Sequence, residues 1–98
     1  MKIYWVYIVE CTDGSYYIGI TNDAVRRVAE HNQGLDVHCY TFKRRPVRLV
    51  YSADFYDPNQ AIAWEKQIKG WSRKKKQALI AGDIERLVEL SREIRRPK

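Results

Sequence analysis

The segment 16–34, YYIGITNDAVRRVAEHNQG, brings together side chains that could act on a phosphate. Its strand-like part carries Tyr17, and its helix-like part carries Arg27 and His31. A guanidinium can clamp a phosphate through two parallel hydrogen bonds, and a phenol or an imidazole can move a proton. The competing interpretation is structural, with aromatic strand residues in a core and basic helix residues facing solvent.

Of two adjacent arginines, Arg27 is the better candidate for the phosphate clamp. It lies at i, i+4 from His31, so the two side chains share one face of a helix. Arg26 points about a quarter-turn away. A lysine would serve less well as a clamp because its ammonium is a flexible point charge. We therefore expect Arg27 and His31 at one site and assign Arg26 to nucleic-acid contact.

The segments around these residues predict a β-hairpin followed by a helix. Residues 3–11 and 16–20 are rich in β-branched and aromatic residues, and the turn-like sequence TDGS separates them. Asp23 is suited to cap a helix, and Gly34 stands where a helix ends. The first helix should therefore span 24–33.

Residues 35–55 predict a loop and then a third strand. The segment 35–45 shows no clean period, so we expect a loop that lines the site. Over 47–55 the residues alternate, which indicates a strand with at least one buried face. One alternating set consists of Val47, Leu49, Tyr51, Ala53 and Phe55.

Three helices are predicted after this strand, each with its own start signal. The first spans 59–69, the second lies between Ser72 and Gly82, and the third spans 84–94. Glu65 falls on or beside the apolar stripe of the first of them, which consists of Ala61, Ile62 and Ile68.

The order β-β-α-β-α-α-α favours an α+β fold, with a small three-stranded antiparallel or mixed sheet flanked by helices. A chain of 98 residues can bury one core but not two. We assign residues 1–82 to the domain and 83–94 to a C-terminal helix packed on it through apolar residues that include Ile84 and Val88. Residues 95–98 are predicted to form a basic tail.

Clustered positive charge indicates nucleic acid as the partner. The chain has 18 Lys and Arg against 12 Asp and Glu, a formal net charge of +6. One group of cations lies within 66–76 without an acid among them, and another lies within 43–48. The residues predicted to contact nucleic acid are Arg26, Lys43, Arg44, Arg45, Lys66, Lys69, Arg73, Lys74 and Lys75.

The sequence also argues against several classes of protein. No apolar run approaches the ~20 residues of a membrane-spanning helix, and the first residues lack a secretory cleavage site. We therefore expect no membrane partner and a cytoplasmic location. Cys11 and Cys39 have no CxxC spacing, so neither a disulfide nor a zinc site is predicted, and both are interpreted as small hydrophobic residues.

Separated motifs in a fixed order resemble the GIY-YIG nuclease domain. The first strand carries VYI with Tyr7, the second carries YIG with Tyr17, and the helix carries RxxxH from Arg27 to His31. The resemblance spans roughly residues 3–80. The segments SYYIGITND, HNQG and EKQIKGWSRKKKQALI are similar to those of the small stand-alone bacterial members of that family.

The resemblance implies a nuclease-type site with one divalent ion. The family's metal-binding helix glutamate matches Glu65, and one carboxylate is enough to hold one Mg²⁺ or Mn²⁺ ion that keeps several waters. Arg27 would bind the scissile phosphate. Tyr7, Tyr17 and His31 would handle the water and its proton, and the sequence leaves open which tyrosine acts as the base.

Several of these residues also allow a structural interpretation. Glu65 could be a surface carboxylate paired with Lys66 or Lys69. Gly19 indicates either a close backbone approach beside the site or a strand bulge. The remaining strand aromatics, and one tryptophan between two helices, are assigned to the core: Tyr4, Trp5, Tyr16, Tyr51 and Trp71. For Trp71 the alternative is stacking on an unpaired base.

Three hypotheses of function follow. The first is a metal-dependent endonuclease that hydrolyses phosphodiester bonds in DNA, selects branched, flap or nicked structures, and acts in repair or recombination. The second is a nucleic-acid-binding module of the same fold without cleavage. The third is a nuclease subunit that needs a protein partner for DNA affinity. The first is favoured because binding alone requires neither a phenol pair nor the carboxylate of Glu65.

Overall fold

The computed structural model describes residues 2–95, and the side chains of residues 2–92. Most of the predicted basic tail, residues 96–98, lies outside the described part. A short 3-10 turn, Phe42–Arg44, precedes the third strand. The strands and α-helices are β1 (Tyr4–Glu10), β2 (Tyr16–Thr21), α1 (Ala24–Gln33), β3 (Arg48–Phe55), α2 (Pro58–Lys69), α3 (Arg73–Ala81) and α4 (Ile84–Arg95).

The three strands form one antiparallel sheet in the order β2-β1-β3. The predicted hairpin and the α+β fold are confirmed, and the sheet is antiparallel rather than mixed. The central strand β1 carries four consecutive buried residues, 6–9. Successive side chains of a strand point to opposite faces, so four buried neighbours require cover on both faces of the sheet.

Helices provide that cover, which gives the molecule three layers. On one face, Val6 and Ile8 pack with Ala61 and Ile68 of α2 and with partly buried residues of α3. On the other face, Tyr7 and Val9 form a second cluster with residues of β2 and α1. Helix α4 packs against α3. Tyr7, the predicted site residue of β1, therefore lies on the face of the sheet that α1 covers.

Local chemistry explains where α1 begins and ends. The Asp23 side chain accepts a hydrogen bond from the backbone N–H of Arg26, and Gly34 ends the helix with a φ of 69°. The helix spans 24–33, as predicted. The later helices also begin and end within one residue of their predicted limits, and the side chains that cap their first turns are Asp57, Ser72 and Asp83.

The simple alternation predicted for the third strand is wrong. Ile8 pairs with Tyr51 while Val9 pairs with Leu49, so Val50 is an extra residue and forms a bulge. Val50 packs against the core with Tyr51. Leu49 is 37% exposed, because a one-residue shift reverses the face on which a side chain lies.

Some residues expected to be buried lie at the surface. Ile62 of α2 and both Ile84 and Val88 of α4 are exposed. Trp5 is half-buried and lines an open groove with Val25 and Leu49 rather than entering the core. The other aromatic residues assigned to the core do pack against it, namely Tyr4, Tyr16, Tyr51 and Trp71.

Two further expectations concern the whole chain. Among the described helices, none is long and apolar enough to cross a membrane. Within the same residues both cysteines are free thiols, with Cys11 buried and Cys39 half-buried.

Candidate active site

Tyr7 lies at the centre of the candidate site, opposite Gly19 on the neighbouring strand. Its ring covers the glycine so closely that a Cβ at position 19 would lie 2.5 Å from the Tyr7 Oη. The register between β1 and β2 runs without a shift, so the alternative of a bulge at Gly19 is wrong. The glycine permits close approach of the phenol to the backbone, as predicted.

Tyr17 reaches the same site from β2, at a position diagonal to Tyr7 across the paired strands. It pairs with Val9 and not with Tyr7, so the two tyrosines are not direct cross-strand partners. Their ring centroids are 6.4 Å apart, and the Tyr17 ring meets the imidazole of His31 edge-on at 5.2 Å. The two phenols therefore converge around one histidine.

His31 is buried beneath these rings, with 4% of its surface exposed. Its Nε2 lies 2.9 Å from the Oη of Tyr7, and its Nδ1 lies 2.8 Å from the Oγ1 of Thr41. The Sγ of Cys39 lies 3.8 Å from the same Nδ1. Each imidazole nitrogen thus has a polar partner, one on the central strand and one in the loop after α1.

Arg27 shares the side of α1 that faces Tyr7, as its spacing from His31 predicts. Its Nη1 donates to a carboxylate oxygen of Glu30 at 3.2 Å. Arg26 is more exposed, bonds to the Oδ1 of Asn22 at 2.8 Å and also pairs with Glu30 at 3.7 Å. The structure therefore brings Arg27 to the site and leaves Arg26 at its edge.

Burial controls the protonation of the site at neutral pH. Desolvation, reinforced by the neighbouring Tyr17, raises the pKa of Tyr7 to about 12, and the guanidinium of Arg27 only partly opposes this rise. Burial also raises the pKa of Tyr17. For His31, burial and then the charge of Arg27 lower the pKa. Neutral phenols beside a neutral imidazole are the resting state.

The residue proposed as metal ligand, Glu65, lies on α2. Its side chain is 17% exposed and pairs with the Nζ of Lys69 at 3.0 Å, as the structural interpretation anticipated. Lys69 also lines a groove with Tyr17 and Tyr40, which places this ion pair beside the tyrosines. No three His, Cys, Asp or Glu side chains are grouped for a metal ion in the part of the chain that the structure describes.

This arrangement fits a sparsely ligated hard cation. Mg²⁺ is commonly bound through one or two carboxylates, with waters and substrate phosphate oxygens completing its shell. Glu65 would supply the protein's carboxylate oxygen to such an ion. Lys69 would then have to leave the carboxylate, and a phosphate is a suitable new partner for its ammonium.

Sequence reasoning missed three consecutive residues of the loop after α1. Tyr40 stacks on Tyr17, with centroids 6.3 Å apart and an interplanar angle of 18°. Thr41 is buried against His31, and its hydroxyl donates to Cys39 at 3.4 Å. Cys39 therefore has polar partners and is not simply a small hydrophobic residue. The sequence signal was limited to an aperiodic loop expected to line the site.

The predicted nucleic-acid contacts have different surroundings. The guanidinium of Arg44 covers the ring of Tyr40 at 3.8 Å, and that of Arg73 covers Tyr16 at 4.7 Å. Lys75 differs from the rest because it is buried, with its Nζ 4.4 Å from the ring centroid of Trp71. Exposed members of the set are Arg26, Lys43, Arg45, Lys66, Lys69, Arg73 and Lys74.

A family model described as the GIY-YIG catalytic domain matches residues 3–78 of this chain. The chain belongs to the GIY-YIG family. This match confirms the resemblance seen in the sequence, and a GIY-YIG catalytic domain implies nuclease activity.

Proteins named UPF0213 have similar sequences along most of their length. A UPF0213 protein of Halobacterium salinarum is 49% identical over 74 residues, which cover 76% of this chain and 95% of that protein. The UPF0213 protein BH0048 of Halalkalibacterium halodurans is 41% identical over 91 residues, covering 90% and 96% respectively.

Solved structures support the α+β fold. The solution NMR structure of BH0048 aligns with a TM-score of 0.54 at 42% identity, covering 81% of this chain and 83% of that one. A protein of E. faecalis, also solved by NMR, aligns with a TM-score of 0.59 at 34% identity, covering 86% and 90%.

Proposed function

We propose that this GIY-YIG protein is a divalent-metal-dependent endonuclease that hydrolyses DNA phosphodiester bonds beside unpaired nucleotides. The observation that carries the proposal is the hydrogen bond of 2.9 Å between the buried Tyr7 and a neutral His31, with Arg27 beside it. A binding module needs no such proton-accepting pair, whereas hydrolysis needs a group that takes a proton from water.

Tyr7 and His31 act together on the attacking water. As the water oxygen bonds to phosphorus, its proton passes to the Oη of Tyr7 while the phenol proton passes to the Nε2 of His31. The bond from phosphorus to the leaving oxygen breaks, and that oxygen takes a proton from solvent. Because the pKa of Tyr7 is about 12, this relay avoids a free phenolate, which would be scarce near neutral pH.

Tyr7 is the better base candidate of the two tyrosines, because its hydroxyl bonds to His31, whereas the ring of Tyr17 only meets the imidazole edge-on. Arg27 lies beside Tyr7, where its guanidinium can hold the scissile phosphate as negative charge develops. An ion bound at Glu65 would supply Lewis-acid stabilisation of phosphate oxygens.

A groove beside Tyr17 supports the preference for unpaired nucleotides. It encloses about 280 Å³ and combines aromatic and cationic side chains. Aromatic faces stack bases of any sequence, and lysines attract the accompanying phosphates. Bases in an intact duplex are already stacked, so a flap, branch or nick is the expected substrate. The groove is lined by Tyr16, Tyr17, Ile18, Tyr40, Lys69 and Lys76.

Cleavage of labelled DNA by purified variants tests the proposal. The substrates are duplex, single-stranded, nicked, flap and four-way-junction DNA in Mg²⁺ or Mn²⁺, with EDTA as the metal-free control. We expect Arg27→Ala and Glu65→Gln each to lose at least about 100-fold in rate. The matched controls, Arg86→Ala and Glu89→Gln, alter an exposed ion pair of α4 and should retain wild-type cleavage.

Tyr40 tests the substrate preference separately. Tyr40→Ala should weaken binding to flap DNA by about 10- to 100-fold and affect duplex binding less, because one stacked base contributes about 1–3 kcal/mol. Tyr40→Phe keeps the ring and should behave as wild type. Tight, salt-sensitive binding without cleavage, unchanged in Glu65→Gln, would instead support a binding module. Cleavage that appears only on addition of cell extract would support a partner-dependent subunit.

A further inference from the structure

We propose that Thr41 is a positioning residue that holds His31 in the tautomer protonated on Nδ1, leaving Nε2 free to accept the proton of Tyr7. The inference rests on the proposed function, in which His31 receives that proton. Thr41 lies in the loop between α1 and β3, and only 1% of its surface is exposed. Its Oγ1 is 2.8 Å from the Nδ1 of His31.

The hydroxyl of Tyr7 requires an acceptor for its proton. The residue is 1% exposed, and the hydrogen bond of its hydroxyl runs to the Nε2 of His31. A buried phenol needs an acceptor for its proton. The guanidinium of Arg27 beside it has donors but no acceptor. Tyr7 therefore donates to Nε2, and that nitrogen carries no proton.

The proton of the neutral imidazole must then lie on Nδ1, where it donates to the Oγ1 of Thr41. The threonine's own proton is directed to the Sγ of Cys39 at 3.4 Å. These residues form a series of hydrogen bonds from Tyr7 through His31 and Thr41 to Cys39, in which each proton is donated to one acceptor. Among the described residues, no buried side-chain nitrogen or oxygen is left without a hydrogen-bond partner.

The same hydrogen bonds disfavour the opposite tautomer, in which the proton lies on Nε2. A proton on Nε2 would point at the Oη of Tyr7, and the buried phenol proton would have lost its acceptor. Leaving a buried polar group unpaired is costly, so Tyr7 disfavours this tautomer, while Thr41 stabilises the other by accepting the proton on Nδ1. With its proton on Nε2, His31 could not take the proton of Tyr7.

Two substitutions separate the hydroxyl of Thr41 from its packing. Thr41→Val keeps the shape but removes the acceptor of the Nδ1 proton, so the Nδ1 tautomer should lose part of its advantage and the Nε2 tautomer should become populated. Thr41→Ser keeps the hydroxyl and should keep the Nδ1 proton. Thr12→Val is the matched control, because Thr12 is exposed and bonds to the backbone oxygens of Arg44 and Pro46 rather than to His31.

Nitrogen-15 NMR of the imidazole rings provides the decisive readout, because protonated and unprotonated ring nitrogens have well-separated chemical shifts. The chain has two histidines, so His38→Gln assigns the signals of His31. We expect the Nδ1 proton in wild type, Thr41→Ser and Thr12→Val, and a mixture of the two tautomers in Thr41→Val. Cleavage by Thr41→Val should fall about 10- to 100-fold, as for other residues that orient a histidine, with activity restored by serine.

A wild-type spectrum with the proton on Nε2 would overturn the inference, as would a fraction of Nε2-protonated His31 in Thr41→Val no greater than in wild type. If Thr41→Val does not fold, the wild-type and Thr41→Ser spectra decide. Recording these spectra does not require the protein to cleave DNA. A wild type that cleaves no DNA while showing the Nδ1 tautomer would therefore count against the proposed function and leave the role of Thr41 supported.

Discussion

Gly19 determines how closely Tyr7 can approach the backbone of β2. The two residues pair directly across β1 and β2, and a Cβ at position 19 would lie 2.5 Å from the Oη and 2.7 Å from the Cζ of the tyrosine. The Tyr7 ring is buried on the central strand, so it cannot move aside without disturbing a close-packed core. The glycine thus keeps the phenol within reach of His31.

Gly19→Ala is therefore expected to lower the free energy of unfolding by about 1–3 kcal/mol, the usual cost of overpacking a core. It should also reduce cleavage by displacing Tyr7 from His31. Gly70→Ala is the control: its added Cβ would meet ordinary contacts of 3.6 Å and 3.8 Å, and its effect should stay within about 0.5 kcal/mol. Urea denaturation of both variants measures the difference, and equal stabilities would contradict the steric account.

The sequence predicted which catalytic candidates meet but not what holds them. Arg27 and His31 are one helical turn apart, and Tyr7 and Tyr17 lie on paired strands, so spacing alone indicates convergence. Thr41 has no such signal. Its contact with His31 depends on how an aperiodic loop folds back over α1, which is determined by tertiary packing rather than by local pattern.

Local sequence signals were sufficient to predict where the helices begin and end, but not to predict how the third strand pairs. The limits of α1 follow from the chemistry of Asp23 and Gly34, which are adjacent to it in sequence. The bulge at Val50 instead reflects the pairing of β3 with β1, about forty residues away. A period-2 pattern contains no information on where such a pairing shifts.

Helix α3 places two adjacent lysines in different environments. Lys74 is exposed, whereas Lys75 is buried with its ammonium over the ring of Trp71. We expect Lys75→Ala to lower the free energy of unfolding by about 1 kcal/mol, through loss of the cation–π contact and of the packing of its aliphatic stem.

The neighbouring Lys74→Ala is the matched control for stability and should leave it unchanged, since the side chain faces solvent. Its effect should appear in DNA affinity instead. Thermal and urea denaturation compare the two variants, and a larger loss of stability in Lys74→Ala would show that the orientation of the helix is wrong.

At the scale of the whole molecule, two glutamates near the site form ion pairs with arginine or lysine. Glu30 pairs with both Arg26 and Arg27, and Glu65 pairs with Lys69. The protein still carries a formal net charge of +6, which attracts a polyanion that approaches the sheet and its groove. Attraction of this kind depends on the release of counterions from DNA and weakens with salt.

The affinity for flap DNA should consequently fall linearly on a plot of log K against log salt between about 50 and 200 mM. Lys66→Ala should reduce the magnitude of that slope by about one if the lysine contacts one phosphate. Arg86→Ala removes the same charge from α4, outside the predicted contact set, and should leave the slope unchanged. Fluorescence anisotropy in Ca²⁺, which replaces the Mg²⁺ or Mn²⁺ of the cleavage assay, measures binding. An equal change of slope in both variants would mean that net charge, rather than a defined surface of α2, directs the DNA.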